Sequence, residues 1–225
     1  MCCKSWKSES RTAVVPVMSE NRLDAPGAPA VVLASGSLFR ARMLRAAGVD
    51  FTVEAPGIDE ATVRESLYAE GARVEDVATM LGELKAMAVS QKQPEALVVG
   101  SDQMLDCNGV WFEKPLDRDH ARASLMALAG RDHRLVTSVV VARGGSRIWH
   151  GLETVRMRMR PLSDAFIEQY LDAVGDEVTQ SVGAYQLEGL GAQLFTAVEG
   201  DYFSVLGLPL LPLLDFLRTH RVLPG

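Results

Sequence analysis

Short unbroken apolar runs alternate with longer stretches of helical period along this chain. Val31-Val32-Leu33-Ala34 has the length and content of a buried strand, and after Ser35-Gly36-Ser37 the apolar positions recur at helical spacing over 38–47 until Gly48 breaks the pattern. Phe51-Thr52-Val53 predicts a second strand, Pro56-Gly57 a turn, and 74–90 an amphipathic helix that carries Lys85. Ala96-Leu97-Val98-Val99-Gly100 predicts a buried strand that ends at Ser101-Asp102-Gln103, so that the acid stands at the strand's carboxyl end. Over 104–112 the central Asn108-Gly109 predicts a hairpin, and Asp117 caps a helix that runs to Leu128 and closes at Gly130. Two long strands, 135–142 and 147–160, are joined through Gly144-Gly145, and Ser163 opens another helix. A glycine-dense stretch at 183–191, a strand through Val198, a Glu199-Gly200-Asp201 turn and a helical stretch with Pro209 near its start complete the pattern. Strands alternating with helices in this way predict an α/β fold.

Residues 1–30 break from it, because Ser, Glu, Pro and Gly mix there without a period. This segment reads as a dispensable, disordered tail ahead of one domain over 31–220. Its apolar pieces are short and interrupted by Pro16, so it is neither a signal peptide nor a membrane span. The 225 residues carry 48% hydrophobic and 23% charged side chains, enough to build a sizeable core. A formal net charge of −6 gives no general positive field for a nucleic-acid backbone, yet helix N-termini, a few cations and a metal can still hold a small anion locally. Cys2, Cys3 and Cys107 form no disulfide or CxxC pattern, which fits a reducing cytoplasm.

Four clusters have chemical potential. Ser35-Gly36-Ser37 with Arg40 places hydroxyls, backbone N–H groups and a guanidinium where a strand opens into a helix, a combination suited to phosphate oxygens; a plain turn with a serine cap needs the same residues. Asp102, with Lys114 returning beyond the hairpin, offers an acid that can activate water or hold a metal and a cation for a phosphate; a capping Asp and a solvated Lys are the plainer alternative. Ile58-Asp59-Glu60 reads either as a helix start or as the source of a second metal carboxylate. The glycines from Gly183 to Gly191, around Tyr185 and Glu188, point to a close backbone approach to a ligand or another strand. His120, His133, His150 and His220 have no ligand spacing, and Walker, nucleophile-elbow and dinucleotide signatures are absent.

In this order, Leu33-Ala34-Ser35-Gly36-Ser37 with Arg40, Ile58-Asp59-Glu60, Lys85-Ala86, Gly100-Ser101-Asp102, Glu113-Lys114-Pro115, Gly183-Ala184-Tyr185, Glu188-Gly189 and Val205-Leu206-Gly207-Leu208-Pro209 resemble the Maf-like nucleotide pyrophosphatases. The resemblance implies the inosine-triphosphatase-like α/β fold, a mixed sheet flanked by helices with two lobes around a central cleft. It implies hydrolysis of a nucleoside triphosphate to monophosphate and diphosphate, which removes non-standard nucleotides before they are incorporated. Asp102 would be the general base, and Ser35, Ser37, Arg40, Lys85 and Lys114 would contact substrate. Asp102 with Glu60 would hold a divalent ion, Mg²⁺ or else Mn²⁺ or Co²⁺. A cytoplasmic homodimer acting on a small nucleotide, with neither nucleic acid nor membrane as partner, is implied as well.

Three positions, Phe39, Gln103 and Glu188, match the branch resembling 7-methyl-GTP pyrophosphatases. The methylated base is cationic and presents donors at its N1 and N2 edge, which suits an aromatic face and a carboxylate acceptor. Ala184-Tyr185 resembles instead the branch specific for pyrimidines such as dTTP and UTP. A non-catalytic nucleotide-binding regulator of septum formation and an enzyme acting on inosine triphosphate are the remaining readings.

Overall fold

The computed structural model describes residues 16–17 and 27–225. In chain order its elements are β1 (Pro16–Val17), β2 (Val31–Leu33), α1 (Leu38–Ala46), β3 (Phe51–Val53), α2 (Glu60–Ala69), α3 (Val74–Ser90), β4 (Leu97–Cys107), β5 (Val110–Phe112), α4 (Arg118–Leu128), β6 (Asp132–Arg143), β7 (Ser146–Met159), α5 (Asp164–Val174), β8 (Phe195–Glu199), α6 (Tyr202–Val205) and α7 (Leu210–Thr219). The expected disordered tail lies outside the described residues apart from 27–30 and Pro16–Val17, which pair antiparallel with Phe51 and Thr52.

The strands form one mixed sheet in the order β1-β3-β2-β4-β6-β7-β8, with β5 as a hairpin partner of β4. β2 runs parallel to both β3 and β4, and the other pairings are antiparallel. The hairpin follows from Asn108 and Gly109, whose φ of 54° and 84° suit the left-handed positions of a two-residue turn. β4 is longer than its sequence predicts. It runs without a break through Ser101-Asp102-Gln103, so Asp102 stands in mid-strand rather than at the carboxyl end. What ends near it is the parallel pairing: β2 accompanies β4 only as far as Val99, and β5 joins the same edge at Leu105. Residues 100–104 therefore leave one side of β4 open while β6 continues along the other.

Alternation along β4 divides its side chains between two layers. Leu97 and Val99 pack with Leu44, Leu213 and Leu217 from α1 and α7, whereas Leu105 and Cys107 pack with Leu125, Leu128 and Leu171 from α4 and α5. These two cores, resting on the same strands, are the two lobes. On the other side, Val98 and Met104 meet α3 through Ala86, Val89, Val77 and Leu81.

The helix lies unusually close to the strand because glycines meet at the crossing. A Cβ on Gly100 would stand 2.2 Å from the Gly82 carbonyl oxygen and 2.7 Å from the Ala86 nitrogen. Neither backbone group can yield without moving α3, one turn of which beyond Gly82 carries Lys85. We expect Gly100→Ala to destabilise the protein by about 1–3 kcal/mol, as overpacking of a tight contact does. The check is the midpoint of chemical denaturation, and an unchanged midpoint would show that α3 has room to withdraw from β4.

Candidate active site

A cleft of about 520 Å³ opens beside the unpaired edge of β4, between the two lobes. Its walls hold Ser35, Ser37, Phe39, Arg40, Glu60, Lys85, Asp102, Gln103, Lys114 and Glu188, so the predicted site residues converge on one space.

Capping and phosphate-friendly geometry coexist in the serine loop. Ser37 Oγ accepts from the Arg40 backbone N–H at 3.4 Å and so caps α1. Ser35 Oγ accepts from the Ser37 N–H at 3.2 Å and from Arg40 Nη1 at 3.1 Å. Arg40 Nε donates to the Gly207 carbonyl at 2.7 Å, and Ser101 Oγ donates to the same oxygen at 3.1 Å. Gly207 has φ +100°, a conformation glycine tolerates far better than other residues, which explains its place in the chain. Burial holds the Arg40 pKa below the ordinary arginine range, against the opposing pull of Asp102 and Glu60.

Lys85 joins the two predicted acids. Its Nζ lies 2.7 Å from Asp102 Oδ1 and 2.7 Å from Glu60 Oε2. Lys85 and Asp102 are each only 4% exposed, so this contact is a buried ion pair. Asp102 Oδ2 is buried as well and has no hydrogen-bond partner among the described residues. The neighbouring Asp59, whose role the sequence left open, caps α2 by accepting from the Thr62 N–H at 3.1 Å and Oγ1 at 2.8 Å. Lys114 faces the same space, and its ammonium pKa is lowered by desolvation first and then by repulsion from Arg40 and Lys85. The negative charge of an incoming anion would offset both effects.

Three further residues of the cleft, Gln103, Phe39 and Glu188, carry groups suited to a base. The Gln103 amide nitrogen is within reach of Thr137 Oγ1 at 3.0 Å, the Ser204 carbonyl at 2.8 Å and the Val205 carbonyl at 3.1 Å. Three acceptors around that nitrogen identify it as the donor end and leave Oε1 as the acceptor available to a ligand. Phe39 is half-buried, and the Arg42 guanidinium lies 5.9 Å from its ring centroid. Glu188 is exposed on the cleft wall and has neither hydrogen bond nor ion pair among the described residues.

Glu188 follows a pinned segment. Gly183 has φ +76°, and a Cβ there would stand 2.6 Å from Leu105 Cδ1. Tyr170 donates its hydroxyl to the Ala184 carbonyl at 3.1 Å, and Ser181 Oγ donates to the Tyr185 carbonyl at 2.5 Å. Tyr185 OH meets His133 Nε2 at 2.8 Å, deep in the core formed with α4 and α5. Burial pushes the Tyr185 hydroxyl pKa up and lowers that of His133 to about 4, so the imidazole that meets the phenol is neutral at neutral pH. Nδ1 of the same ring is buried without a hydrogen-bond partner among the described residues.

Arg64, Gly82, Gly100 and His133 all shape this site, and the sequence reading assigned none of them a role. For Arg64 a signal existed, since it stands four residues after Glu60 and therefore on the same helix face.

Comparison with known proteins matches residues 30–220 to the family described as Maf-like protein. The chain is 56% identical over 189 residues to the nucleoside triphosphate pyrophosphatase of Paramagnetospirillum magneticum, covering 84% of this chain and 97% of the relative. It is 54% identical over 195 residues to that of Rhodospirillum rubrum, covering 87% and 96%. Identity to the 7-methyl-GTP pyrophosphatase of Brucella abortus biovar 1 is 46% over 195 residues, covering 87% and 98%.

The buried histidine has a measurable consequence. Because its folded pKa of about 4 lies below the unfolded value of about 6.5, the unfolded state binds a proton that the folded state refuses between these values. Stability is thus fully present above about pH 6.5 and falls as the pH drops toward 4, by an amount of order 3 kcal/mol. In His133→Gln this part of the slope should vanish. Denaturation midpoints measured from pH 7 to pH 4 in both proteins are the test, and parallel curves would show that His133 makes no such contribution.

Proposed function

The chain belongs to the Maf-like protein family, and from that premise we infer that it is a nucleoside triphosphate pyrophosphatase, a hydrolase that releases a nucleoside monophosphate and diphosphate. The observation that best supports this reading in the molecule itself is the Lys85–Asp102 contact, which fixes one carboxylate oxygen of a residue lining the cleft and leaves the other without a partner among the described residues, in a cleft that holds two further cations.

In the mechanism we propose, Asp102 Oδ2 accepts a proton from the water that attacks the α-phosphorus, while Lys85 keeps the carboxylate oriented through Oδ1. Arg40 and Lys114 bind non-bridging phosphate oxygens, and the Ser35-Gly36-Ser37 loop adds hydroxyl and backbone donors. The α–β anhydride bond breaks, and diphosphate leaves with the bridging oxygen. A divalent cation fits this set of residues, since Asp102 supplies a buried oxygen lacking a donor and Glu60 a half-exposed second carboxylate. Asp102 and Glu60 would hold Mg²⁺, Mn²⁺ or Co²⁺, and substrate phosphates commonly complete such a shell. A metal held there would supply charge neutralisation and Lewis-acid polarisation of the phosphoryl group.

For the base we propose 7-methylguanine. Phe39 offers a ring face to a cationic base, and Gln103 Oε1 with the unpaired Glu188 carboxylate offers acceptors to its N1 and N2 donors. The Tyr185 hydroxyl, which resembles the pyrimidine branch, is engaged by His133, and only the rest of that residue remains for a ligand. The protein would act in the cytoplasm as a homodimer on small nucleotides rather than nucleic acid, a proposal that rests on the family resemblance. No helix among the described residues is long and apolar enough to cross a membrane.

Asp102→Asn should lower kcat by about 10²–10⁴. The Asn side chain still accepts from Lys85, so nucleotide binding measured by calorimetry should persist. Wild-type turnover in this variant would remove Asp102 from the chemistry.

Purified protein should hydrolyse 7-methyl-GTP in preference to dTTP or UTP. Phe39→Ala should erode that preference by a few-fold to tens-fold, equivalent to about 0.5–2 kcal/mol of cation–π attraction, and Glu188→Gln by about 1–3 kcal/mol. A ratio of kcat/KM values that neither change moves would mean that both side chains merely pack.

A further inference from the structure

Arg64 lines the same cleft as the substrate-binding residues, yet none of the motifs read from the sequence includes it. It stands on α2 one turn after Glu60, with its side chain 19% exposed. Its Nη1 donates to Glu113 Oε1 at 2.5 Å. Nε and Nη2 have no protein partner among the described residues, so most of the guanidinium fork is uncommitted. Glu113 is 59% exposed and directly precedes Lys114 in the chain.

This bond is easily exchanged. An ion pair with a partner so open to water adds little net stability, and a phosphate accepts two parallel N–H bonds from arginine where this carboxylate takes one. The helix that carries Arg64 is itself lightly held. α2 has no fully buried residue; Val63 and Leu67 are partly buried against α3, and Tyr68 meets Trp111 edge-on at 4.8 Å. Two ion pairs within the cleft, Glu60–Lys85 and Arg64–Glu113, also tie it down.

Position assigns Arg64 to one part of the substrate. Glu60 touches Lys85, and Lys85 touches Asp102, where cleavage is placed. One helical turn, about 5.4 Å, carries the next side chain on that face away from Asp102 toward the Glu113-Lys114 segment. We propose that Arg64 binds the terminal phosphates, those that leave as pyrophosphate, and that it exchanges Glu113 for phosphate oxygens as substrate enters. Glu113 is then the internal competitor that occupies the guanidinium in the empty cleft. The proposal rests on the triphosphate-hydrolase reading above and identifies the residue that grips its leaving group.

The test is calorimetric titration of inorganic pyrophosphate into the full-length protein in Mg²⁺ buffer, with parallel titration of the monophosphate product of its best triphosphate substrate. Arg64→Gln should weaken pyrophosphate binding about tenfold or more and leave monophosphate binding unchanged, and Arg64→Lys should recover part of the loss. Glu113→Gln should tighten pyrophosphate binding, because it frees the guanidinium. Both variants break the same ion pair. If the pair served only to hold α2 in place, both would weaken binding together, and that result would overturn the proposal, as would wild-type pyrophosphate affinity in Arg64→Gln. Opposite shifts in the two variants without turnover of any triphosphate would instead overturn the hydrolase reading and leave Arg64 as a pyrophosphate ligand.

Discussion

A lysine and an aspartate pressed together out of water govern the arrangement of this molecule. Burying either charge without a partner would cost several kcal/mol or more, so Lys85 and Asp102 hold each other in place. Their contact at 2.7 Å demands that α3 lie almost on the backbone of β4, and the Gly82–Gly100 crossing provides that closeness. Glu60 shares the ammonium and draws the start of α2 to the same point. One electrostatic requirement thus fixes a helix-to-strand distance, the rotation of α3 and the anchorage of a second helix. The surplus is Asp102 Oδ2, a buried oxygen held in place without a partner among the described residues, which is the kind of preorganised group that a reaction on phosphorus can use.

The sheet places Asp102 on the wall of the cleft. A fully paired central strand would have shut Asp102 away, but β4 loses β2 after Val99 and gains β5 only at Leu105. The interval is the floor of the cleft. Ligand crevices in α/β sheets commonly form where strand connectivity changes, and here the change occurs along the edge of a single strand.

Much of this was legible locally. The strand at Val31, the Asp117 and Ser163 caps and the Asn108-Gly109 hairpin depend on neighbours in sequence, and each formed as its residues predict, while Ser37 and Asp59, each open to two readings in the sequence, both cap helices. Ser101-Asp102-Gln103 misled because three polar residues in a row resemble the end of a strand. They continue β4 because their partners are distant: Ser101 bonds to Gly207, Gln103 to Thr137 and residues 204–205, and Asp102 to Lys85. The same cause hid the His133–Tyr185 contact, whose members stand 52 residues apart. Gly82 and Gly100 gave no turn signal, since what they permit is proximity and not a positive φ at either position. For the candidate site, the ordered set of motifs brought together residues that no single motif specified, and it passed over Arg64 because that side chain belongs to an ordinary helix face.

The two lobes share their foundation. β4, β6 and β7 contribute apolar side chains to the core under α1 and α7 and, farther along the same face, to the core under α4 and α5. Neither lobe is therefore a module that recombination could exchange for a foreign one, because swapping it would sever strands on which the other depends. New nucleotide preferences must arise in this architecture residue by residue, in the segments overhanging the cleft, while the chemistry below stays locked to a floor that both lobes need in order to fold.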